Sequence, residues 1–175
     1  MNSLSNGLSL NSSTSSSSAS SSSTSSSSTA PYMLVVEDSD EDFETLQRVL
    51  LKNCDVDVPV VRCCDGDEAL DFLYHRGEFA TQSRAHFPSL ILLDLNLPGS
   101  DGREVLQTVK QDDRLKVIPI TVFTTSSNPK DVESCYQYGA NSYLVKPMDL
   151  QQMKTSVCRV LDYWFELMQL PNAVL

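Results

Sequence analysis

The sequence predicts an α/β fold in which five parallel strands alternate with five helices, and two features of the chain favour it. Five short apolar runs are continuous rather than alternating, which is typical of strands that are covered on both faces in a parallel sheet. Each run is followed by a helix-start signal and then by polar segments with helical spacing of their apolar residues. This pattern predicts five consecutive strand–helix units in a doubly wound sheet.

The predicted strands and helices follow one another in strict order. The strands cover residues 32–36, 58–62, 90–93, 118–123 and 143–145. Because these runs are largely apolar and do not alternate, we expect all five strands to be buried. The helix-start signals are Ser39 with Asp42, Asp65 with Glu68, Asp101 with Glu104, Asn128 before Pro129, and Asp149 with Gln152. Gly139, just after the fourth helix, is placed to take the left-handed conformation that ends many helices.

Composition divides the chain into a tail and one domain. Of the first 30 residues, 20 are Ser or Thr and none is charged, which is typical of a disordered segment. The rest is close to the commonest domain size and can bury a core without a metal or a disulfide. We therefore expect a disordered tail at residues 1–30, one domain at residues 31–170 and a short C-terminal tail at residues 171–175.

The charge and the cysteines bear on partners and location. The 175 residues carry 23 Asp and Glu against 13 Lys and Arg, a net charge of -10, which excludes bulk electrostatic attraction to nucleic acid or to an anionic membrane. A cytoplasmic location is expected, because the chain shows no secretory signal and no apolar run long enough to span a membrane. The cysteines lack CxxC spacing and are interpreted as reduced thiols: Cys54, Cys63, Cys64, Cys135 and Cys158.

Three carboxylates follow two of the predicted strands. Glu37 and Asp38 come directly after the first strand, and Asp94 follows the third. Carboxyl ends of parallel strands share one edge of the sheet, where open α/β sheets bind their ligands. Because three acids in one crevice repel each other, a hard divalent cation, Mg²⁺ above all, is expected between them.

Two further polar side chains end the remaining strands at the same edge. Thr124 ends the fourth strand and Lys146 follows the fifth. A metal, a carboxylate, a hydroxyl and an ammonium together suit phosphoryl transfer to Asp94, since the cations neutralise the phosphoryl oxygens while the carboxylate attacks. No Gly-rich phosphate loop is present, so ATP is not expected to be the donor.

These residues resemble the receiver domains of two-component response regulators over residues 32–168. The resemblance is carried by residues 34–38 (LVVED), residues 92–98 (LLDLNLP) with Asp101-Gly102, Thr124, and residues 143–147 (YLVKP). It implies a flavodoxin-like (βα)5 sheet in the strand order 2-1-3-4-5. It also implies that Asp94 accepts a phosphoryl group from a phosphohistidine of a sensor histidine kinase, so that the protein is a signalling phosphoacceptor rather than an enzyme.

The resemblance further assigns roles to individual positions. It implies that Asp38 and Asp94 bind Mg²⁺ directly, Glu37 through water and Asn96 through its backbone carbonyl, while Lys146 pairs with the phosphoryl oxygens. Thr124 resembles the switch hydroxyl, and Tyr143 resembles the aromatic that turns inward behind it. By the same resemblance Asn96 and Ser126 face the attacking water and set the phosphoryl lifetime. Thr125 is a departure, since many members have Ala there.

A narrower resemblance points to a light-responsive kinase. Residues 65–66, 74–79 (YHRGEF), 101–106 (DGREVL) and 163–165 (YWF) are similar to small response regulators that partner bacterial phytochrome histidine kinases. A phytochrome kinase is therefore the expected donor, and a downstream phosphotransfer protein is a further candidate partner.

The end of the chain suggests how the signal leaves the domain. Few residues follow the last helix, so neither a DNA-binding nor an enzymatic output domain is expected there. Phe165 and Leu167 lie off the apolar stripe of that helix and are candidate dimer contacts. The family resemblance favours a homodimer through the fourth and fifth helices and the fifth strand.

Two alternatives stay open on the sequence. A haloacid-dehalogenase-type phosphatase also uses an Asp nucleophile with Mg²⁺ and a later Lys, but it would require an acid where Asn96 stands. A receiver-shaped binding module that never takes up phosphate is the other alternative. Such a module would have no need of Glu37, Asp38 and Lys146 together.

Overall fold

The computed structural model describes residues 30–54, 56–81 and 87–171. Five parallel strands form one sheet in the order β2-β1-β3-β4-β5, which confirms the predicted doubly wound fold. The strands are β1 (Met33–Val36), β2 (Val60–Cys63), β3 (Leu90–Leu93), β4 (Ile120–Thr124) and β5 (Ser142–Val145).

Five helices alternate with the strands, as predicted. They are α1 (Asp40–Asn53), α2 (Gly66–Tyr74), α3 (Gly102–Gln111), α4 (Pro129–Gln137) and α5 (Leu150–Leu161). A short 3₁₀ turn, Gly77–Phe79, follows α2, and a π-helical segment, Asp162–Leu167, continues α5.

Every predicted helix start is confirmed. The capping residues are Ser39, Asp65, Asp101, Asn128 and Asp149, and each side chain accepts a backbone N–H of the first helical turn. Gly139 has a φ of 96°, so the left-handed end predicted after α4 is confirmed as well.

The core has two parts, one on each face of the sheet. Alternate residues of a strand point to opposite faces, so Leu34 and Val36 of β1 join one cluster while Met33 and Val35 join the other. The first cluster packs against α2 and α3, with Leu106 fully buried. The second packs against α1 and α5.

The expectation that all five strands are buried is wrong for the two outer ones. β2 and β5 lie at the edges of the sheet and are mostly half-buried, and Val145 is 39% exposed. Each of them pairs with only one neighbouring strand in this sheet. Their apolar composition therefore does not reflect complete burial.

The expectation that all five cysteines are reduced thiols is wrong for two of them. Cys54, at the end of α1, forms a disulfide with Cys158 of α5, 104 residues later in the chain. Sequence spacing could not reveal this pair, because α1 and α5 become neighbours only when the sheet forms. By the loop-closure entropy removed from the unfolded chain, closing a loop of this size contributes on the order of 5 kcal/mol to stability. Cys63, Cys64 and Cys135 are free, so the cysteine content gives no clear support for a reducing compartment.

The structure describes only a small part of the two predicted tails. The predicted tail at residues 1–30 and the C-terminal tail at residues 171–175 lie outside the described residues except for Ala30 and Pro171. Among the described helices, none combines the length and the apolar character that crossing a membrane requires.

Candidate functional site

The carboxyl ends of β1 and β3 bring Glu37 and Asp94 together. The backbone continues the sheet one residue past each strand, since Glu37 N–H donates to Cys63 O (2.9 Å) and Asp94 N–H donates to Val36 O (3.0 Å). Both carboxylates are buried, with Glu37 3% and Asp94 6% exposed. Two buried acids at one sheet edge require a compensating cation.

Lys146 supplies that cation. Its Nζ donates to Glu37 Oε2 (2.6 Å), Asp94 Oδ2 (2.6 Å) and Asp42 Oδ2 (2.8 Å). The backbone N–H of Lys146 donates to Thr124 O (2.7 Å), which extends the pairing of β5 with β4 and aims the side chain at the same edge. The structure therefore gathers these predicted residues at one point and adds Asp42.

Asp94 is held in its ionised form. Burial acts to raise its pKa, but the hydrogen bond and charge of Lys146 outweigh it, with help from the Thr124 hydroxyl and the Asn96 amide, so the pKa lies below its ordinary value. The Asn96 N–H donates to Asp94 Oδ1 over 3.1 Å. An ionised carboxylate with fixed oxygens is what a nucleophile for phosphoryl transfer requires.

The pKa values of Glu37 and Lys146 are also shifted by burial and by the charges close to them. Burial raises the pKa of Glu37 above its ordinary value, and the bond from Lys146 offsets only part of this. Burial acts to lower the pKa of Lys146, but its three carboxylate partners raise it overall. One ammonium is thus shared by more negative charge than it can neutralise.

The donor oxygens suit a divalent metal in type and position. Asp38 is exposed beside the buried acids, and its carboxylate makes no hydrogen bond or ion pair with any described residue. In the described part of the chain, however, no three acidic, His or Cys side chains converge as a ready-made cage. Lys146 occupies the space between Glu37 and Asp94, so the residues fit a metal by chemistry and excess negative charge rather than as a preformed cage.

A glycine brings α3 close to the nucleophile. A Cβ at Gly102 would overlap the carbonyl oxygen of Asp94, so only glycine allows this approach. Gly102 N–H also donates to Leu95 O (3.0 Å). The start of α3 is therefore packed directly on the backbone that carries Asp94.

The two predicted switch residues are joined by one loop. Thr124 is fully buried, its hydroxyl helps to lower the pKa of Asp94, and the Ser126 N–H approaches Thr124 Oγ1 at 3.4 Å. The Tyr143 hydroxyl donates to Ser126 O (3.0 Å), so its ring is turned toward this loop. The Ser126 hydroxyl is bonded to Asp131 Oδ2 (2.6 Å).

Thr125 is exposed and lines an open cleft of about 370 Å³ beside Lys146. The cleft leaves a path to the crevice from the side of α1 and the β5–α5 loop. A larger cleft of about 480 Å³ lies at the far end of the sheet, near Met33 and Val60. Its lining is mostly apolar and distant from the acidic crevice, so the smaller cleft is the one that serves the chemistry.

Two residues of the site were missed in the sequence. Asp42 was interpreted only as part of a helix cap, yet its carboxylate reaches Lys146. It lies in the first turn of α1, directly after the acidic loop that ends β1, and that closeness in sequence is the available signal. Arg62 of β2 also touches the acidic loop, through the carbonyls of Glu37 and Asp38. The strand order implied by the resemblance places β2 beside β1, but no spacing rule shows that the Arg62 side chain reaches that loop.

The candidate dimer contacts lie in the segment after α5. Leu167 is 71% exposed, whereas Phe165 is partly buried against the core cluster formed with α1 and α5. Other exposed apolar side chains lie nearby along the chain, including Tyr163 and Met168. Trp164 donates its indole N–H to Thr121 Oγ1 (3.2 Å), which anchors this segment to the sheet.

Comparison with known proteins gives consistent matches. The family model described as the response regulator receiver domain matches residues 33–158. The response regulator Rcp1 of Synechocystis sp. is 43% identical over 141 residues, which are 81% of this chain and 93% of Rcp1.

Solved structures show the same likeness. The phosphorylated cyanobacterial phytochrome response regulator RcpA is 40% identical, with a TM-score of 0.74 over 82% of this chain and 99% of that one. The Mn²⁺-bound form of Rcp1 is 42% identical, with a TM-score of 0.73 over 81% of this chain and 99% of that one.

Proposed function

The chain belongs to the response regulator receiver family, and we propose that it is a single-domain response regulator that takes up a phosphoryl group on Asp94. One observation carries this proposal. Asp94 is buried and ionised at the sheet edge, with one oxygen on Lys146 Nζ, 2.6 Å away, and the Thr124 hydroxyl beside it.

The donor in this proposal is a phosphohistidine of a sensor histidine kinase. An Asp94 oxygen bonds to phosphorus as the P–N bond to the imidazole breaks, and the imidazole keeps the electron pair of that bond. Lys146 then exchanges its Asp94 contact for a phosphoryl oxygen while Glu37 and Asp42 keep it in place. The Thr124 hydroxyl, which helps to lower the pKa of Asp94, donates to another phosphoryl oxygen.

A divalent metal belongs to this site, because receiver domains bind one and the Rcp1 relative was solved with Mn²⁺. We assign Mg²⁺ to it, held by Asp38 and Asp94, by Glu37 through water and by the Asn96 carbonyl. The ion supplies charge neutralisation at the phosphoryl oxygens. The excess of carboxylates over Lys146 supports a cation of higher charge.

The proposed output is a change of surface rather than turnover of a substrate. Members of this family are signalling proteins, so the only reactions assigned are uptake of the phosphoryl group and its later hydrolysis. The contact between Tyr143 and Ser126 supports a path by which a movement of Thr124 on phosphorylation changes the surface of β5 and α4. A downstream phosphotransfer protein is a further partner in this scheme. A cytoplasmic location, with the receiver at residues 31–170 between two tails, completes the proposal.

A phytochrome histidine kinase is the proposed donor, because RcpA, a cyanobacterial phytochrome response regulator, is 40% identical to this chain and covers 82% of it. We expect a purified phytochrome kinase, autophosphorylated with labelled ATP, to pass its label to this protein faster than an unrelated histidine kinase does. Gel autoradiography over time measures both rates. Transfer from the unrelated kinase alone would refute the phytochrome assignment but not the phosphoacceptor function.

A homodimer through the α5 segment is the proposed assembly, and Leu167 is its best probe. Because Leu167 is 71% exposed, Leu167→Glu leaves the core intact, whereas truncating the partly buried Phe165 would not. Losing one buried leucine contact weakens association by about 1.5–3 kcal/mol, or at least about tenfold.

Light scattering with size exclusion, before and after phosphorylation, measures the effect of Leu167→Glu. The control is Leu51→Glu, which changes an 82% exposed leucine on α1. Equal masses for the wild type and Leu167→Glu in both states would rule out this interface.

A further inference from the structure

Arg62 of β2 binds the backbone of the loop that carries Glu37 and Asp38. Its Nε donates to Glu37 O (2.9 Å) and its Nη2 donates to Asp38 O (3.1 Å). Its Nη1 binds Asp40 Oδ1 (2.6 Å), and the guanidinium carbon lies 4.6 Å from the centre of the Phe43 ring. The Arg62 side chain is only 18% exposed, and its bond to Glu37 O is partly buried, whereas its bonds to Asp38 O and to the 86% exposed Asp40 face solvent.

These contacts fix backbone rather than side chains. Two consecutive carbonyls, those of Glu37 and Asp38, are held by one planar guanidinium, which restricts rotation of the peptide groups on both sides of Asp38. Asp38 makes no side-chain bond with any described residue, so what the protein fixes is its backbone, and with it the Cα–Cβ direction from which the carboxylate extends. The register of β1 with β2 pairs Val35 with Arg62, so the Arg62 guanidinium lies beside the loop that follows β1.

We propose that Arg62 is a positioning residue for the divalent metal, holding the Glu37–Asp38 backbone so that Asp38 presents its carboxylate to the ion. This inference rests on the proposed function and deepens it. Removing a residue that orients a metal ligand typically weakens metal binding by about 10–100-fold. Arg62 itself touches neither the metal nor the phosphoryl group.

The charge of Arg62 acts in the opposite direction. A guanidinium near a metal site repels the cation, so simple removal of the charge would tighten binding. Positioning and repulsion therefore predict opposite signs for Arg62→Met. Arg62→Lys separates them further, because it keeps the charge but loses the planar fork that reaches two carbonyls at once.

Mn²⁺ titration of the full chain, followed by the electron paramagnetic resonance of free Mn²⁺, tests this inference. We expect Arg62→Met and Arg62→Lys each to weaken Mn²⁺ binding about tenfold or more. Asp40→Asn should change it little, because Asp40 is 86% exposed and such ion pairs contribute little. The control for net charge is Arg114→Met, at a residue that is 67% exposed and pairs with Asp112.

A second readout separates positioning from general damage. With acetyl phosphate as donor, the Mg²⁺ concentration for half-maximal phosphorylation should rise about tenfold in Arg62→Lys, while the rate at saturating Mg²⁺ stays near that of the wild type. Mn²⁺ binding that is unchanged or tighter in Arg62→Met and unchanged in Arg62→Lys would overturn the inference. If the wild type takes up no phosphoryl group while the Mn²⁺ difference persists, the proposed function fails and the role of Arg62 in metal binding stands.

Discussion

Asp94→Asn is expected to abolish phosphoryl uptake from acetyl phosphate with Mg²⁺, whereas the wild type gains one phosphoryl group. The amide is neutral and is a far weaker nucleophile than the carboxylate it replaces. It also removes the charge that pairs with Lys146 Nζ at 2.6 Å. Intact-protein mass spectrometry after incubation measures the gain directly, and the bound group should be labile to alkali because it is an acyl phosphate.

The matched control is Asp113→Asn, which changes a 92% exposed carboxylate outside the crevice. It should gain one phosphoryl group as the wild type does. A mass gain in Asp94→Asn equal to that of the wild type would show that another residue is the acceptor. No gain in the wild type would instead favour a receiver-shaped binding module that works without phosphate.

The fold was predictable from the sequence because its signals are local. Each capping side chain bonds within its own first turn, and each strand is a largely apolar run, so both can be recognised without knowing their neighbours. The strand order implied by the resemblance already places β2 and β5 at the edges, but their lower burial could not be inferred from their runs, which look like those of the central strands. The Cys54–Cys158 disulfide was missed for a related reason: it joins helices that are neighbours only in space.

The same distinction applies to the site. Strand ends in a parallel sheet meet at one edge, so Glu37, Asp94 and Lys146 could be placed together before the structure was known, and their contacts confirm this grouping. Asp42 and Arg62 reach the site through side-chain directions and strand order. The roles of Asp38, Asn96 and Tyr143 remain predictions that phosphorylation and metal binding will test.

Lys146 links the stability of the domain to its chemistry. As the cation shared by Glu37, Asp94 and Asp42, it is the only described side chain donating to all three carboxylates. The acids that make the site reactive therefore depend on the same ammonium for their burial. Its removal should show in folding as well as in phosphoryl uptake.

Lys146→Met is accordingly expected to lower the free energy of unfolding by about 3–5 kcal/mol at neutral pH, because two buried carboxylates lose their partner. Mg²⁺ should restore part of this loss by replacing the missing cation. Phosphoryl uptake should fall sharply even at saturating Mg²⁺, since the phosphoryl oxygens lose their ammonium. Urea unfolding with and without Mg²⁺ measures the first two effects.

The pH dependence of Lys146→Met gives a signature that general destabilisation lacks. In the wild type the pKa of Asp94 is held below its ordinary value, chiefly by Lys146 against the effect of burial, so its contribution is present at neutral pH and is lost in acid. Without Lys146 the buried carboxylates have raised pKa values, so the folded variant binds protons more readily than the unfolded chain and gains relative stability as the pH falls. The difference in the free energy of unfolding between Lys146→Met and the wild type should therefore become smaller toward acid pH. The control is Lys116→Met, which removes a 50% exposed lysine paired with Asp113. Its free energy of unfolding should stay close to that of the wild type at every pH. A loss of unfolding free energy in Lys146→Met that does not change with pH would contradict this account.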